Sequence, residues 1–219
     1  MRILIFSDLH ANSTALSALQ SAEKKPDAIF FLGDAVGYGP DIAECVGWIK
    51  HNTTYAVQGD HDRAAATGAE CTSPDDWRQV ANATRDLNRN VLSAAYRNYL
   101  LGLAPQQEII LGGVRFLLMH QLDQGHGDSM VVSDAAIETF GGRGFVRSHT
   151  SLDTRVNDKW LVNPGSLGQP RHGLPSATYA IWEDGDLKIQ HIDYDRAVRS
   201  SGLPYCRSIQ NMYRDCNIP

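Results

Sequence analysis

Apolar runs in this chain stop, again and again, at a residue able to hold a metal ion. Ile3-Leu4-Ile5-Phe6 leads into Ser7-Asp8-Leu9-His10, and Ala28-Ile29-Phe30-Phe31-Leu32 into Gly33-Asp34. Tyr55-Ala56-Val57 leads into Gly59-Asp60-His61-Asp62, Val114 to Met119 into His120, and Phe145-Val146 toward His149. The first two of these runs, apolar without a break, read as buried strands. Between the first three runs lie stretches of helical spacing: Ala15, Leu16, Ala18, Leu19 and Ala22, then Ile42, Val46 and Ile49. Asn12 or Ser13 is placed to cap the first of these helices. The order strand, helix, strand, helix, strand predicts a parallel sheet with right-handed crossovers. Such a sheet puts its strand ends, and their polar residues, along the edge where open α/β sheets bind ligands.

The second half changes character. Residues 75 to 101 read mainly as helix. Glu108 to Leu111, Gly112-Gly113 and Val114 to Met119 read as a β-hairpin. Short strands near Phe145, Trp160 to Val162, Thr178 to Trp182 and Leu187 to Ile192 predict a second, mainly antiparallel sheet, with Gly185 turning the last pair. No internal repeat or linker divides the 219 residues, so a single domain over 1–219 is expected, with a surface helix over 204–219.

Composition narrows the function classes. The formal net charge is −5, and Lys and Arg are scattered, so no basic field favours a stable nucleic-acid complex. Cys45, Cys71, Cys206 and Cys216 form no CxxC pair and read as free thiols. The apolar N-terminal stretch is too short for a signal-peptide core, and no run approaches a membrane span, so a cytoplasmic protein without an anchor is expected.

Taken singly, an Asp after a strand is more often a helix cap than a ligand, and a His more often a hydrogen-bonded core or surface residue. The recurrence of both at strand ends outweighs that. Carboxylates and neutral imidazoles suit Mn, Fe, Zn or Ni. One carboxylate shared by two such ions makes a centre that binds phosphoryl oxygens, acidifies a bridging water and supplies hydroxide for in-line attack at phosphorus.

The motifs, in order, resemble those of the calcineurin-like metallophosphoesterases. Asp8-Leu9-His10 resembles the family's Asp-x-His, Gly33-Asp34 its Gly-Asp, and Gly59-Asp60-His61-Asp62 its Gly-Asn-His-Asp. His120 matches its later strand-end His, and Ser148-His149-Thr150-Ser151 its Gly-His-Thr-His. Val36 to Pro40 and Asn163 to Arg171 resemble a small bacterial subgroup. The resemblance implies an α/β (α+β) fold, a four-layer αββα sandwich of two mixed sheets flanked by helices. It implies two divalent or mixed-valence transition-metal ions, Mn or Fe first and Zn or Ni next. Asp8, His10 and Asp34 would hold one ion, with Asp34 bridging, and Asp60, His120 and His149 would complete the other. His61 is similar to the family's catalytic histidine, which stabilises or protonates the leaving oxygen. Asp62 either orients His61 or caps a helix. Arg63 and Arg171 are candidates for substrate phosphate or for surface ion pairs. Tyr38 is a candidate to stack on substrate or to pack the loop. The implied activity is hydrolysis of a phosphodiester or phosphomonoester, with a small nucleotide-type substrate or a phosphoprotein as partner. The alternative is a catalytically weakened metal- or nucleotide-binding sensor of the same fold.

Three departures bear on that reading. Asp60 stands where the family has Asn, which adds negative charge beside the ions. Ser151 stands where the family has a last His ligand, which predicts weaker binding of the first ion. Gln121 and Ser148 replace glycines.

Overall fold

The computed structural model describes residues 1–23, 25–71, 75–120, 143–145, 152–156, 159–170 and 176–194. In β1 (Arg2–Phe6) side chains alternate between two cores. Leu4 and Phe6 join the cluster containing Leu16, Leu19, Val46 and Ile49. Ile3 and Ile5 join the cluster containing Phe116, Leu118, Val162 and Trp182. The strand β2 (Ala28–Phe31) splits the same way, with Phe31 on the first side and Ala28 and Phe30 on the second. Each strand is thus covered on both faces, which is why its sequence runs apolar without a break.

The first sheet has the order β10-β9-β1-β2-β3, where β3 is Tyr55–Ala56, β9 is Ala177–Glu183 and β10 is Asp186–Ile192. The second has the order β4-β5-β6-β8-β7, where β4 is Gln106–Leu111, β5 is Val114–Met119, β6 is Arg143–Phe145, β7 is Leu152–Val156 and β8 is Lys159–Asn163. The sheets face each other across the second core. The first core lies under α1 (Ser13–Ala22) and α2 (Ile42–Asn52). Ala65 and Ala66 of α3 (Asp60–Thr67) and Leu100 of α5 (Ala94–Gly102) also join it, and α4 (Asp75–Val91) packs on α3. Two mixed sheets flanked by helices are what the resemblance implied.

Several finer expectations change. The hairpin of β9 and β10 joins the first sheet, β9 running antiparallel to β1 with Ile5 opposite Ala180. The reason is visible in β9, whose Tyr179 and Ile181 enter one core while Ala180 and Trp182 enter the other. A strand apolar on both sides needs cover on both, and a place beside β1 supplies it. The second sheet is mixed, since β5–β6 and β6–β8 are parallel and β4–β5 and β7–β8 antiparallel. The helix read over 75–101 breaks at Ser93, whose side chain accepts the Tyr96 N–H at 3.2 Å and caps α5. The helix α3 answers the alternative in which Asp62 caps a helix, and β7 was not anticipated. The 204–219 segment lies outside the described residues. No helix among the described residues is long and apolar enough to cross a membrane.

Candidate metal centre

Parallel pairing of β1, β2 and β3 brings the ends of all three strands to one edge. The turn after β1 carries Asp8 and His10, the turn after β2 carries Asp34, and the start of α3, just past β3, carries Asp60 and His61. The end of β5 adds His120 from the facing sheet. All six residues are buried.

These side chains form two triads around one shared residue. Asp8, His10 and Asp34 offer ligand atoms within 4.8 Å of one another, and so do Asp34, Asp60 and His120. His10 Nε2 lies 3.4 Å from Asp8 Oδ1 and 3.8 Å from Asp34 Oδ2. His120 Nε2 lies 3.4 Å from Asp34 Oδ2 and 3.1 Å from Asp60 Oδ1. Asp34 Oδ2 therefore faces both imidazoles.

The far side of each ring decides what the near side can do. His10 Nδ1 meets the Val36 carbonyl at 3.0 Å, and His120 Nδ1 meets the Leu32 carbonyl at 2.8 Å. A carbonyl oxygen only accepts, so each Nδ1 donates its N–H there. In the neutral ring each Nε2 then turns a lone pair toward carboxylate oxygens, an arrangement that favours a cation between them. The donor set of each triad, two carboxylates and one imidazole, fits the first-row ions named above.

Charge in the site is uneven. Burial acts to raise the Asp34 carboxyl, as does Asp60, but His120 and His61 outweigh them and hold it below its usual value. Asp62 goes the other way. Burial, then the negative Asp34, push its carboxyl up to about 6 against the pull of its backbone N–H partners.

Strained backbone builds the cluster. Asp8 (φ 54°), His10 (φ 48°), Asp34 (φ 63°) and Tyr38 (φ 57°) all sit in the left-handed region, which costs a non-glycine residue on the order of 1–2 kcal/mol. The surroundings hold them there. The Asp8 N–H donates to the Gly33 carbonyl at 3.0 Å and the His10 N–H to the Asp34 carbonyl at 3.0 Å. Asp62 accepts from the backbone N–H of Asp34 (2.9 Å), Ala35 (2.9 Å), Val36 (3.3 Å) and Gly59 (3.1 Å). Its role is thus the capping alternative extended to a neighbouring loop: it fixes the Asp34 turn to the start of α3. The His61 N–H, at the start of that helix, donates to Asp34 Oδ1 at 3.0 Å.

Glycines leave room for the rings. A Cβ on Gly33 (φ 99°) would lie 2.6 Å from His120 Nδ1, and one on Gly37 (φ 95°) 2.6 Å from His61 Nδ1.

The segment around Ser166 enters the site from behind. Gly168 N–H donates to the Asp8 carbonyl at 2.8 Å, Ser166 Oγ to the same carbonyl at 3.1 Å, and Leu167 N–H to the Ser7 carbonyl at 3.1 Å. Asn12 Nδ2 reaches back to the Gly168 carbonyl at 3.0 Å. Sequence reasoning singled out the Asn163 to Arg171 motif but gave Ser166 and Gly168 no task. Its close match to the subgroup was the available signal, and the segment turns out to clamp the Asp8 turn.

Of the remaining candidates, Tyr38 is fully buried, with its ring against His10 and His61 rather than open to a stacking partner. Arg63 is exposed on α3. His149 and Arg171 lie outside the described residues, as do Gln121, Ser148 and Ser151. Cys45 and Cys71 are buried free thiols. Burial pushes Cys71 up to about 12 and Cys45 well above its ordinary value, so both are inert as nucleophiles.

A sandwich of two mixed sheets whose strand ends gather two Asp/His groups able to hold metal, with Asp34 in both, fits the metal-binding phosphoesterases. The calcineurin-like phosphoesterase superfamily domain matches residues 1–185, and the chain belongs to that superfamily. Among solved structures it is similar to a metallophosphoesterase from Sphaerobacter thermophilus, with 29% identity, a TM-score of 0.79 and 99% of each chain covered. A hypothetical protein from Pyrococcus horikoshii shares the fold at 18% identity and TM-score 0.72, covering 100% of this chain and 94% of that one. An uncharacterized protein from Methanocaldococcus jannaschii is 29% identical, with 88% of this chain and 88% of that one covered.

Proposed function

We propose that this protein hydrolyses a small phosphate ester at a dinuclear centre, with Asp8, His10 and Asp34 holding one ion and Asp34, Asp60 and His120 the other. The observation that carries the reading is the position of Asp34 Oδ2, 3.8 Å from His10 Nε2 and 3.4 Å from His120 Nε2, which makes one carboxylate common to both triads. His149 is the further ligand that the family resemblance assigns to the second ion. When bound, such a pair of ions supplies positive charge to the phosphoryl oxygens and acidifies water.

The chain's own residues do the rest. Asp34 is held in register at its backbone N–H, which donates to the Asp62 carboxylate, and at its Oδ1, which accepts from the His61 backbone N–H. His61 packs its Nδ1 against Gly37, so Nε2 is the ring nitrogen we assign to the leaving oxygen, where a proton or a hydrogen bond offsets the charge that develops as the P–O bond breaks. Asp8 and His10 are fixed by the Ser166–Gly168 clamp and by the Val36 carbonyl. A formal net charge of −5 supports small substrates over duplex nucleic acid.

The test is elemental analysis of purified protein followed by turnover of bis(p-nitrophenyl) phosphate and p-nitrophenyl phosphate with added Mn, Fe, Zn or Ni. The expected result is about two ions per chain and turnover with at least one of them. Bound ions without turnover under any of these conditions would replace the enzyme by the sensor reading.

A further inference from the structure

Ser166 is fully buried, and both functions of its hydroxyl are committed. Its Oγ donates to the Asp8 carbonyl at 3.1 Å and accepts the Gln169 N–H at 2.9 Å. Gly168 takes hold of the same turn at two points. Its N–H donates to the Asp8 carbonyl at 2.8 Å, and its carbonyl accepts from Asn12 Nδ2 at 3.0 Å and from the Tyr194 hydroxyl at 3.1 Å. Ser166 and Gly168 thus grip the start of the Asp8-to-Asn12 turn, and Asn12 closes the grip at its end. A Cβ on Gly168 would run into the Leu9 carbonyl, so a side chain there would push the two backbones apart.

The turn needs holding. Asp8 (φ 54°), His10 (φ 48°) and Ala11 (φ 50°) all sit in the left-handed region, which L-residues keep only where their surroundings over-determine it. On one side the Asp8 and His10 N–H groups are tied to the Gly33 and Asp34 carbonyls, both at 3.0 Å. The Ser166 segment and Asn12 supply ties on the carbonyl side. Of the two Asp/His groups, Asp8 and His10 belong to the one they form with Asp34.

We infer that Ser166 and Asn12 are positioning residues for a single ion, the one between Asp8, His10 and Asp34. Joined through Gly168, they keep the strained turn in the shape that presents Asp8 and His10 to Asp34, and neither is itself a ligand. The inference rests on the metal reading under the proposed function. It predicts that their loss weakens one ion of the pair, whereas a general role in folding would weaken both or neither.

The experiment titrates Mn2+ into metal-free wild type, Ser166→Ala, Asn12→Ser, Asp8→Asn and the Ser166→Ala/Asp8→Asn double variant, with calorimetry giving an affinity for each ion. Ser166→Ala should weaken one ion roughly tenfold and leave the other within about threefold. Asn12 also caps α1 by accepting the Ala15 N–H at 3.0 Å, and serine keeps such a cap while falling short of Gly168. Asn12→Ser should therefore weaken the same ion. Asp8→Asn should lose that ion, and Ser166→Ala should then change the affinity of the remaining one by less than about threefold. Equal weakening of both ions, unchanged affinity in Ser166→Ala or Asn12→Ser, or as large a loss in the Asp8→Asn background would overturn the inference. If Ser166→Ala does not fold, Ser166→Cys takes its place with the same expectations. Should the wild-type protein bind fewer than two ions, the dinuclear reading fails by itself. Amide hydrogen exchange of the metal-free proteins then decides for the grip. The His10 and Gly168 N–H groups should exchange roughly tenfold faster in Ser166→Ala, while the amides of β5 hold within about threefold. Unmoved His10 and Gly168, or equal acceleration in β5, refutes it.

Discussion

Asp62 holds Asp34 by its backbone, accepting that residue's N–H at 2.9 Å, and the same carboxylate also takes the N–H of Ala35, Val36 and Gly59. Asp34, the residue common to both Asp/His groups, is thus placed by a carboxylate that belongs to neither of them.

Asp62→Ala should therefore unfold more easily and bind metal less well. It leaves buried N–H groups without an acceptor, and losing hydrogen bonds to a buried charge costs about 3 kcal/mol or more in total. Chemical denaturation of the metal-free protein measures this. A loss below about 1 kcal/mol would show that the Asp34 turn holds itself.

The same carboxylate should make metal-free stability depend on pH. Its folded pKa of about 6 lies above the ordinary 3.8, so between those values the folded state binds the proton more tightly than the unfolded chain. The proton-linked part of its contribution is present in full below pH 3.8 and is lost as pH rises through about 6, while its backbone hydrogen bonds persist. Denaturation midpoints of the metal-free protein should fall across that window, and by less in Asp62→Ala. A slope of the same size in both would assign the effect elsewhere.

Asp34→Asn should empty the centre more completely than any other single ligand change. Asp8→Asn touches one triad, and His120→Ala the other, whereas Asp34 belongs to both. Elemental analysis should find about one ion retained in each of the first two variants and near none in Asp34→Asn. Two ions retained in Asp34→Asn would end the case for a bridge.

Asp60 is the residue of the two Asp/His groups at which the sequence departs from the Gly-Asn-His-Asp motif it resembles. With Asp8 and Asp34 it sets three carboxylates about the two triads, and its Oδ1 lies 3.1 Å from His120 Nε2. The added charge favours an ion of higher charge and weakens the ions as Lewis acids. Asp60→Asn should loosen metal binding roughly tenfold and raise turnover per bound ion. Metal titration and rate measurements together check this, and an unaltered metal profile would remove the idea.

The sequence by itself determined which residues meet. Each run such as Ile3 to Phe6 is apolar on both faces, which forces a doubly covered strand, and parallel neighbours then place Asp8, Asp34 and Asp60 on one edge. Periodicity reports burial, and burial is local enough to read from one segment. Only the tertiary structure decided that β9 lies beside β1, that Ser166 grips the Asp8 carbonyl, that Asp62 serves the Asp34 backbone and that Tyr38 faces two histidines. Those are contacts between residues distant in the chain, made through single hydrogen bonds or ring edges. Their partners leave no period in the sequence, because they are chosen by how the two sheets and the loops between them close on one another.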